Sequence, residues 1–295
     1  MDQAENLRKK VKKQKAQRKI AKIITITSGK GGVGKSSIAV NLAIALHRKG
    51  IKVIILDGDF GLANVEIMLG IRPKYNLADL MFRGKDLRDI ITQGPEGIGF
   101  ISGGSGIQEL SNLSREQILY LLGKLIELDE IADVIIIDTG AGINETVMEF
   151  AAASSEILLV ATPEPTSITD SYALLKALNR KKDYDMDGLI IKMIANQVSS
   201  HREGEDLYEK LSIVVNKFLD IELNFLGAIP KDENVSKAVM SQKPAISQYP
   251  NSSFIKEIQK FADQLYNKEN AVETNDKKGI AQLFAYLLGS KIKKS

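Results

Sequence analysis

The sequence predicts an α/β fold: a doubly wound, mostly parallel sheet flanked by helices. Short apolar runs alternate along the chain with amphipathic helical patterns. The runs are apolar at consecutive positions rather than at every second one, which indicates parallel strands buried on both faces. The predicted strands lie in the runs KIITITS, KVIILDGD, GIGFISGG, DVIIIDTG, EILLVATP, LIIKMIANQ and NFLGAIP.

The carboxyl ends of these runs carry Gly, Asp, Asn and Pro. Ligands bind at the carboxyl ends of the strands in doubly wound sheets. We therefore expect a site assembled from residues 28–36, 57–61, 138–142, 162–165, 196 and 230–232. Two segments fall outside the repeat, and the chain divides into a basic arm at 1–22, a core at 23–267, a linker at 268–278 and a terminal helix at 279–295.

The composition excludes several kinds of site. The 295 residues include no cysteine, which rules out disulfides, iron–sulfur ligation by cysteine and a cysteine nucleophile, and fits a reducing compartment. Only two histidines are available to a zinc site. No apolar run approaches the roughly 18 residues of a membrane span, and no signal-peptide pattern follows the basic start. We expect a cytoplasmic protein whose membrane contact is peripheral.

A glycine-rich loop follows the first predicted strand and precedes a helical pattern. Residues 29–36 satisfy the phosphate-binding pattern G-x-x-x-x-G-K-[ST], in which backbone N–H groups and a helix N-terminus converge on phosphate oxygens. We expect Lys35 to neutralise β- and γ-phosphate oxygens and the Ser36 hydroxyl to hold Mg²⁺. A glycine turn that only packs helix on strand is the alternative. The predicted nucleotide-binding residues of the loop are Gly29, Lys30, Gly31, Gly32, Val33, Gly34, Lys35, Ser36 and Ser37.

A second lysine, Lys30, makes this loop more specific. The pattern K-G-G-x-G-K-[ST] resembles the deviant Walker A loop of the MinD/ParA ATPase family. In that family the early lysine reaches the nucleotide of the other subunit, so the resemblance implies an ATP-bound homodimer and a Mg²⁺-dependent ATPase. A cation from a partner would stabilise the charge on the transferred phosphoryl group. A solvated loop lysine is the alternative.

Three aspartates stand where predicted strands end, Asp57 and Asp59 after VIIL and Asp138 after VIII. The resemblance implies that Asp59 orients or deprotonates the attacking water, that Asp57 lies beside the metal and that Asp138 binds Mg²⁺ through water. Strand-end aspartates also serve as helix caps, an alternative that is strongest for Asp57. The implied catalytic residues are Lys30, Lys35 and Asp59, and the implied metal ligands are Ser36, Asp57 and Asp138.

Two further stretches concern the base of the nucleotide. Asn196 matches the asparagine that holds adenine in the resembling family, and Pro230, Lys231 and Asp232 match the loop beside the base. The arginine that usually follows the asparagine is Gln197 here. The guanine-reading motif N-K-x-D is not present, which favours ATP and ADP. An asparagine at a strand end is also a common turn residue.

The end of the chain has the pattern of an amphipathic helix with lysines on both sides. A helix of this kind suggests attachment to anionic membrane lipids. A last helix docked on the core is the alternative. The apolar stripe consists of Ile280, Leu283, Phe284, Leu287 and Leu288.

The arm opens with the pattern D-Q-A-x-x-L-R, formed by Asp2, Gln3, Ala4, Leu7 and Arg8. Together with the core and the tail, it resembles the MinD-family regulators of flagellar number and placement. The resemblance implies that the arm stimulates the GTPase of an FlhF-type partner, with Gln3 as the key side chain. It also implies a peripheral, often polar, position on the inner face of the membrane, with flagellar basal-body (C-ring) proteins as further candidate partners.

Two other functions use the same core. A ParA-type partitioning ATPase would bind non-specific DNA with a steep dependence on salt and would not need the terminal amphipathic helix. A MinD-type division-site regulator would not need the arm. The arm and the tail together make DNA the less favoured partner.

Overall fold

The structure is a computed structural model that describes residues 20–60, 64–104, 114–180, 189–219 and 221–266. These residues contain one eight-stranded sheet with the strand order β3-β4-β2-β5-β1-β6-β7-β8. The strands are β1 (Lys22–Ser28), β2 (Val53–Gly58), β3 (Ile91–Gln93), β4 (Gly99–Ile101), β5 (Val134–Ala141), β6 (Glu156–Ala161), β7 (Ile190–Val198) and β8 (Leu223–Pro230).

The predicted fold class is confirmed. Each of the seven predicted runs contains a strand, and these seven strands pair in parallel. The sequence did not predict β3, which pairs antiparallel with β4 at the edge of the sheet. This strand has only three residues, none of them buried, so it lacks the continuous apolar run that marks the others.

Helices cover both faces of the sheet. The helix at Lys35–Arg48 packs on β1 and β2, and nearly all of its side chains are buried. The α-helices of the described ranges are α1 (Lys35–Arg48), α2 (Asn64–Leu69), α3 (Leu77–Phe82), α4 (Leu87–Ile90), α5 (Arg115–Leu125), α6 (Glu145–Ala153), α7 (Pro165–Arg180), α8 (His201–Phe218), α9 (Glu233–Met240), α10 (Ala245–Gln248) and α11 (Ser253–Leu265).

Strand β1 lies at the centre of the sheet and is buried on both faces. Ile24 and Ile26 face the core that α1 and α11 cover, whereas Ile23 faces the core on the opposite side. This two-sided burial explains why the strand is apolar or β-branched at consecutive positions. It also fixes the loop that follows Ser28 at the middle of the sheet, at its carboxyl edge.

Helix α11 closes the described chain against the start of β1. Its apolar stripe packs on α1 and β8, where Gly227 has a φ of 152° and a Cβ atom would lie 2.7 Å from the Phe261 ring. Only glycine can occupy position 227, because it has no Cβ atom to clash with the ring. None of the helices in the described ranges combines the length and the hydropathy that crossing a bilayer requires.

The predicted arm motif and the predicted membrane stripe fall at residues 2–8 and 280–288. Both lie outside the residues that the structure describes. Their roles therefore stay predictions.

Candidate nucleotide-binding site

The loop between β1 and α1 forms an open cradle. Gly32 and Gly34 have φ angles of 76° and 96°, which glycine adopts more readily than any other residue. A Cβ atom on Gly31 or Gly32 would meet no atom within 4 Å, so the space above these two residues is free. Helix α1 begins directly after the loop and points its positive dipole end at this space. The arrangement fits an anion the size of a phosphate group.

A cavity of about 940 Å³ extends from this cradle to the ends of β7 and β8. Its volume suits a nucleotide. Five predicted site residues, Gly29, Lys30, Val33, Asp57 and Asp138, are not in its wall. The predicted residues that line the cavity are Gly31, Gly32, Gly34, Lys35, Ser36, Ser37, Asp59, Asn196, Pro230, Lys231 and Asp232.

Lys35 is the cation at the floor of the cavity. Its side chain is buried, and Nζ donates a hydrogen bond to the Ser28 hydroxyl at 3.0 Å. Burial lowers the pKa of Lys35, and the negative charges of Asp138 and Asp59 oppose that effect. The carboxylates keep Lys35 charged at the floor of the cavity, where it can neutralise the oxygens of a bound phosphate group.

Asp138 lies within β5, beside Asp57 of β2, and is fully buried. Neither of its carboxylate oxygens has a hydrogen-bond partner of normal geometry in the described part of the chain. Burial raises the pKa of Asp138 to about 7, against the opposing influence of the Ser36 hydroxyl and of Lys35. A buried carboxylate whose hydrogen bonds are incomplete is costly unless it meets a cation, so this residue fits Mg²⁺.

The Mg²⁺ ligands predicted from the sequence would need help from a bound phosphate. No group of three or more His, Cys, Asp or Glu side chains that could hold a metal occurs among the described residues. Mg²⁺ typically takes one or two protein carboxylates and completes its shell with water and substrate phosphates. The donor set of one hydroxyl and strand-end carboxylates therefore fits this ion together with a nucleotide.

We expect Asp138→Asn to stabilise the metal-free protein at pH 7. The folded-state pKa of about 7 exceeds the usual 3.8, so the stability that Asp138 contributes is fully present below about pH 4 and is lost as the pH rises to 7. A neutral asparagine removes this loss, on the order of a few kcal/mol. Chemical unfolding in the presence of a chelator, from pH 5 to 8, measures the difference.

The same variant should lose the stabilisation that Mg²⁺ adds in the presence of a nucleotide. A variant that is less stable than the parent at pH 7 without metal would contradict the account of a costly buried charge. One that keeps its full response to Mg²⁺ would contradict the assignment of Asp138 to the metal.

Asp57 is the last residue but one of β2, Asp59 follows the strand, and the two differ in their exposure. Asp57 is buried and accepts a hydrogen bond from the Asp59 N–H at 3.1 Å. Asp59 is not in a helix, so this contact is a local turn and not a helix cap. Burial and the charge of Asp138 raise the pKa of Asp57 well above its usual range. Asp59 lines the cavity, and burial raises its pKa while Lys35 opposes the rise.

Asn196 fastens the phosphate loop to β7. Its side-chain amide donates a hydrogen bond to the Val33 carbonyl at 2.7 Å. The neighbouring Gln197 has a φ of 59° and donates to the Gly32 carbonyl at 3.3 Å. The sequence predicted a contact with the base for Asn196 but not this link, because a hydrogen bond between residues 163 positions apart leaves no local pattern.

Lys30 turns away from the cavity of its own chain. Its ammonium contacts Glu164 and donates a hydrogen bond to the Thr166 hydroxyl at 3.0 Å. Glu164 precedes α7 and is mostly exposed. The side chain of Lys30 is itself 35% exposed, so it stays accessible to another molecule.

An apolar wall on the far side of the cavity was not predicted from the sequence. Helix α9, the helix α2 and the start of α11 contribute to it. An apolar surface near a phosphate cradle suits the base of a nucleotide. The amphipathic spacing of residues 235–239 was the signal that could have shown one face of α9. The residues of this wall are Met68, Val235, Val239, Met240 and Phe254.

Comparison with known proteins places this site in a family. The sequence profile described as ParA, NUBPL iron-transfer P-loop NTPase, matches residues 19–266. The chain belongs to the ParA/MinD family of P-loop ATPases. The matched residues include the cradle, the three aspartates and the apolar wall. Iron transfer, which the profile's description mentions, finds no cysteine ligand in this ParA/MinD-family chain.

Several ParA/MinD-family relatives match most of the chain. Antiactivator FleN from Pseudomonas aeruginosa is 44% identical over 230 residues, 78% of this chain and 81% of that protein. Flagellum site-determining protein YlxH from Helicobacter pylori is 36% identical over 272 residues, 90% of each chain. The structure of septum site-determining protein MinD from Pyrococcus horikoshii, complexed with Mg-ADP, has a TM-score of 0.70 at 25% identity and covers 87% of this chain and 100% of that chain.

Proposed function

We propose that this protein is an ATP-dependent dimerising switch that binds the membrane in its ATP state and regulates flagellar number and placement. The observation that carries the switch is the position of Lys30, which is exposed, close to the phosphate cradle in sequence, and turned away from its own cavity. The likeness to FleN and YlxH supports the flagellar process. The parts of the proposed switch are an arm at 1–22, an ATPase core at 23–267, a linker at 268–278 and a membrane helix at 279–295.

ATP is the nucleotide that the cavity suits best. The apolar wall on α9 and α11 offers a surface for a flat base, and Asn196, Pro230 and Asp232 stand at its polar border. The guanine-reading motif is not present in the sequence. The likeness to a MinD structure that holds Mg-ADP supports the same choice, as well as Mg²⁺ as the metal.

Residues in and beside the cavity have separate roles in hydrolysis. The glycine cradle and Lys35 bind the phosphates and hold them in line. Asp59, whose raised pKa suits a general base, orients the attacking water and accepts its proton. Ser36, Asp57 and Asp138 would hold Mg²⁺, which supplies charge neutralisation between the phosphate oxygens when bound.

Dimerisation supplies the remaining cation. In the dimer, Lys30 leaves Glu164 and Thr166 of its own chain and reaches the triphosphate in the neighbouring chain. The charge that spreads over the transferred phosphoryl group is then stabilised as by an arginine finger, an effect of about 10³–10⁵ in rate. Hydrolysis removes the γ-phosphate that holds the two subunits together, so the dimer opens.

The terminal helix couples this cycle to the membrane. A single amphipathic helix gives weak, reversible attachment, whereas two helices on one dimer bind far more tightly through effective concentration. ATP binding therefore brings the protein to anionic lipids and hydrolysis releases it. The arm acts on the FlhF-type GTPase.

Sedimentation with anionic vesicles tests the proposal, using the full chain, a chain that lacks 279–295, and Gln3→Ala. We expect the full chain to sediment with ATP and Mg²⁺ but not with ADP, because only the dimer carries two helices. The truncated chain should stay in the supernatant but still stimulate the partner GTPase. Gln3→Ala, as the matched control, should sediment normally without stimulating it.

Equal sedimentation with ADP and ATP, or sedimentation without residues 279–295, would refute the proposed coupling to the membrane. The same samples with linear DNA separate the main alternative. DNA that sediments the ATP-bound chain without its tail, and releases it as salt rises, would favour a ParA-type partitioning ATPase.

A further inference from the structure

A cleft of about 380 Å³ opens where β2 and β4 begin. Its volume lies within the range of small-ligand sites. The end of α1, helix α4 and the turn between β3 and β4 contribute to its wall. It shares no lining residue with the nucleotide cavity, so it is a separate feature of the domain.

The cleft and the nucleotide cavity lie at opposite edges of the sheet, and β2 connects them. Val53, the first residue of β2, lines the cleft, whereas Asp57, four residues later, belongs to the predicted metal site. At about 3.3 Å per residue, the two positions are roughly 13 Å apart. A small ligand in the cleft therefore leaves room for a nucleotide in the cavity.

The charged groups that line the cleft are all basic. Lys52 precedes β2 and Arg88 lies on α4. Both residues are exposed, and neither forms an ion pair with another residue that the structure describes. His47, near the end of α1, donates a hydrogen bond from Nδ1 to the Ile51 carbonyl at 3.1 Å, which leaves Nε2 for a ligand.

Three carboxylates adjoin the lining residues without lining the cleft themselves, namely Glu96, Asp89 and Asp133. Glu96 accepts two hydrogen bonds of 2.7 Å from the Arg48 guanidinium. Asp133 accepts a hydrogen bond of 2.9 Å from the backbone N–H of Lys52. An anion in the cleft would therefore meet two unpaired cations and no opposing charge in the wall.

The rest of the wall is largely apolar. Ile54, Ile91 and Ile131 line it, and the last two are only partly buried by the core beneath them. Gly99 contributes no side chain, and a Cβ atom there would lie 2.8 Å from the Ile54 side chain. An apolar wall with a few polar groups at fixed positions is typical of sites for small organic ligands.

We propose that this cleft binds a small organic anion, in which a phosphate or carboxylate group is joined to a compact apolar body. The anionic group contacts Lys52 and Arg88, and the apolar body packs on Ile91 and Ile131. The cleft has less than half the volume of the nucleotide cavity, about 380 Å³ against 940 Å³, so the ligand is smaller than a nucleotide. Its binding does not depend on the flagellar role proposed above.

Isothermal titration calorimetry of the full chain tests the proposal, with Mg-ADP present to fill the nucleotide cavity. The probes are phenyl phosphate and benzoate, which carry both parts of the ligand, and inorganic phosphate and benzyl alcohol, which each lack one part. We expect the better of the first two to bind with a Kd of about 1 mM or tighter. Inorganic phosphate and benzyl alcohol should bind at least about tenfold more weakly.

Two double variants assign this binding to the cleft. Lys52→Gln with Arg88→Gln should bind the better probe at least about tenfold more weakly than the parent, because both cations are lost. Lys52→Arg with Arg88→Lys keeps both charges and should stay within about threefold of the parent. Both positions are exposed, so the variants should unfold at the same temperature as the parent.

A glutamine variant that binds the probe as tightly as the parent would overturn the proposal, because the probe would then lie elsewhere. Inorganic phosphate that binds as tightly as phenyl phosphate and benzoate would also overturn it, since the apolar wall would then contribute nothing. So would a parent chain that binds neither organic probe. Tighter binding of phenyl phosphate than of benzoate would support a phosphate as the anionic group, and the reverse would support a carboxylate.

Discussion

Asp59→Ala should reduce ATP turnover by about 10²–10⁴, the range for loss of a general base. The substitution removes the only predicted base that lines the cavity and leaves the cradle, Lys35 and Asp138 in place. Nucleotide affinity should therefore stay close to that of the parent, and the ATP-bound state should accumulate. Single-turnover measurements with labelled ATP separate the slow chemical step from binding.

Asp263→Ala is the matched control for this variant. Asp263 is also an aspartate with one close cation, Lys49, but it lies on α11 at the other end of the molecule. Exposed ion pairs of this kind add little to stability, so its turnover should equal that of the parent. An Asp59→Ala chain that hydrolyses ATP at the parent's rate would remove Asp59 from the mechanism.

Lys30→Ala should leave ATP binding nearly unchanged but reduce turnover by about 10³ or more, as the loss of an arginine finger does. The reason is geometric: Lys30 does not line its own cavity and contacts Glu164 and Thr166 instead. The variant should keep a mass near the 32.4 kDa of one chain when ATP and Mg²⁺ are present. Equilibrium binding, steady-state turnover and light scattering measure these three quantities.

Lys49→Ala controls for loss of a surface lysine, because Lys49 is 37% exposed against 35% for Lys30 and is likewise paired with an exposed carboxylate. It should behave as the parent in all three measurements. A Lys30→Ala chain that binds ATP much more weakly than the parent would show that Lys30 serves its own cavity.

Where chemistry depends on residue type and spacing, the sequence was sufficient to predict the structure. The cradle followed from the glycines and the two lysines, and strand β5 followed from an unbroken apolar run that ends at Asp138. Parallel strands buried on both faces cannot be polar, so their runs are easily recognised. Strand β3 was not predicted because an edge strand of three residues, none of them buried, does not need to be apolar at consecutive positions.

Contacts between distant residues could not be predicted in the same way. Lys22 starts the predicted run KIITITS and begins β1, but its ion pair with Glu156, 134 residues later in the chain, left no local pattern. The apolar wall of the cavity was not predicted, for a different reason. Met68 and Phe254 are residue types that serve equally well in a core or in a cavity, and only their three-dimensional positions distinguish the two.

Mixing the two inactive variants tests directly whether each subunit lends a cation to its neighbour. In a mixed dimer, the cavity of the Lys30→Ala subunit keeps its own Asp59 and receives Lys30 from the Asp59→Ala subunit, so one complete site forms. We predict that turnover reappears on mixing and approaches half of the parent's rate per mixed dimer. Mixed dimers that form, as shown by mass, but hydrolyse no more ATP than either variant alone would contradict the account.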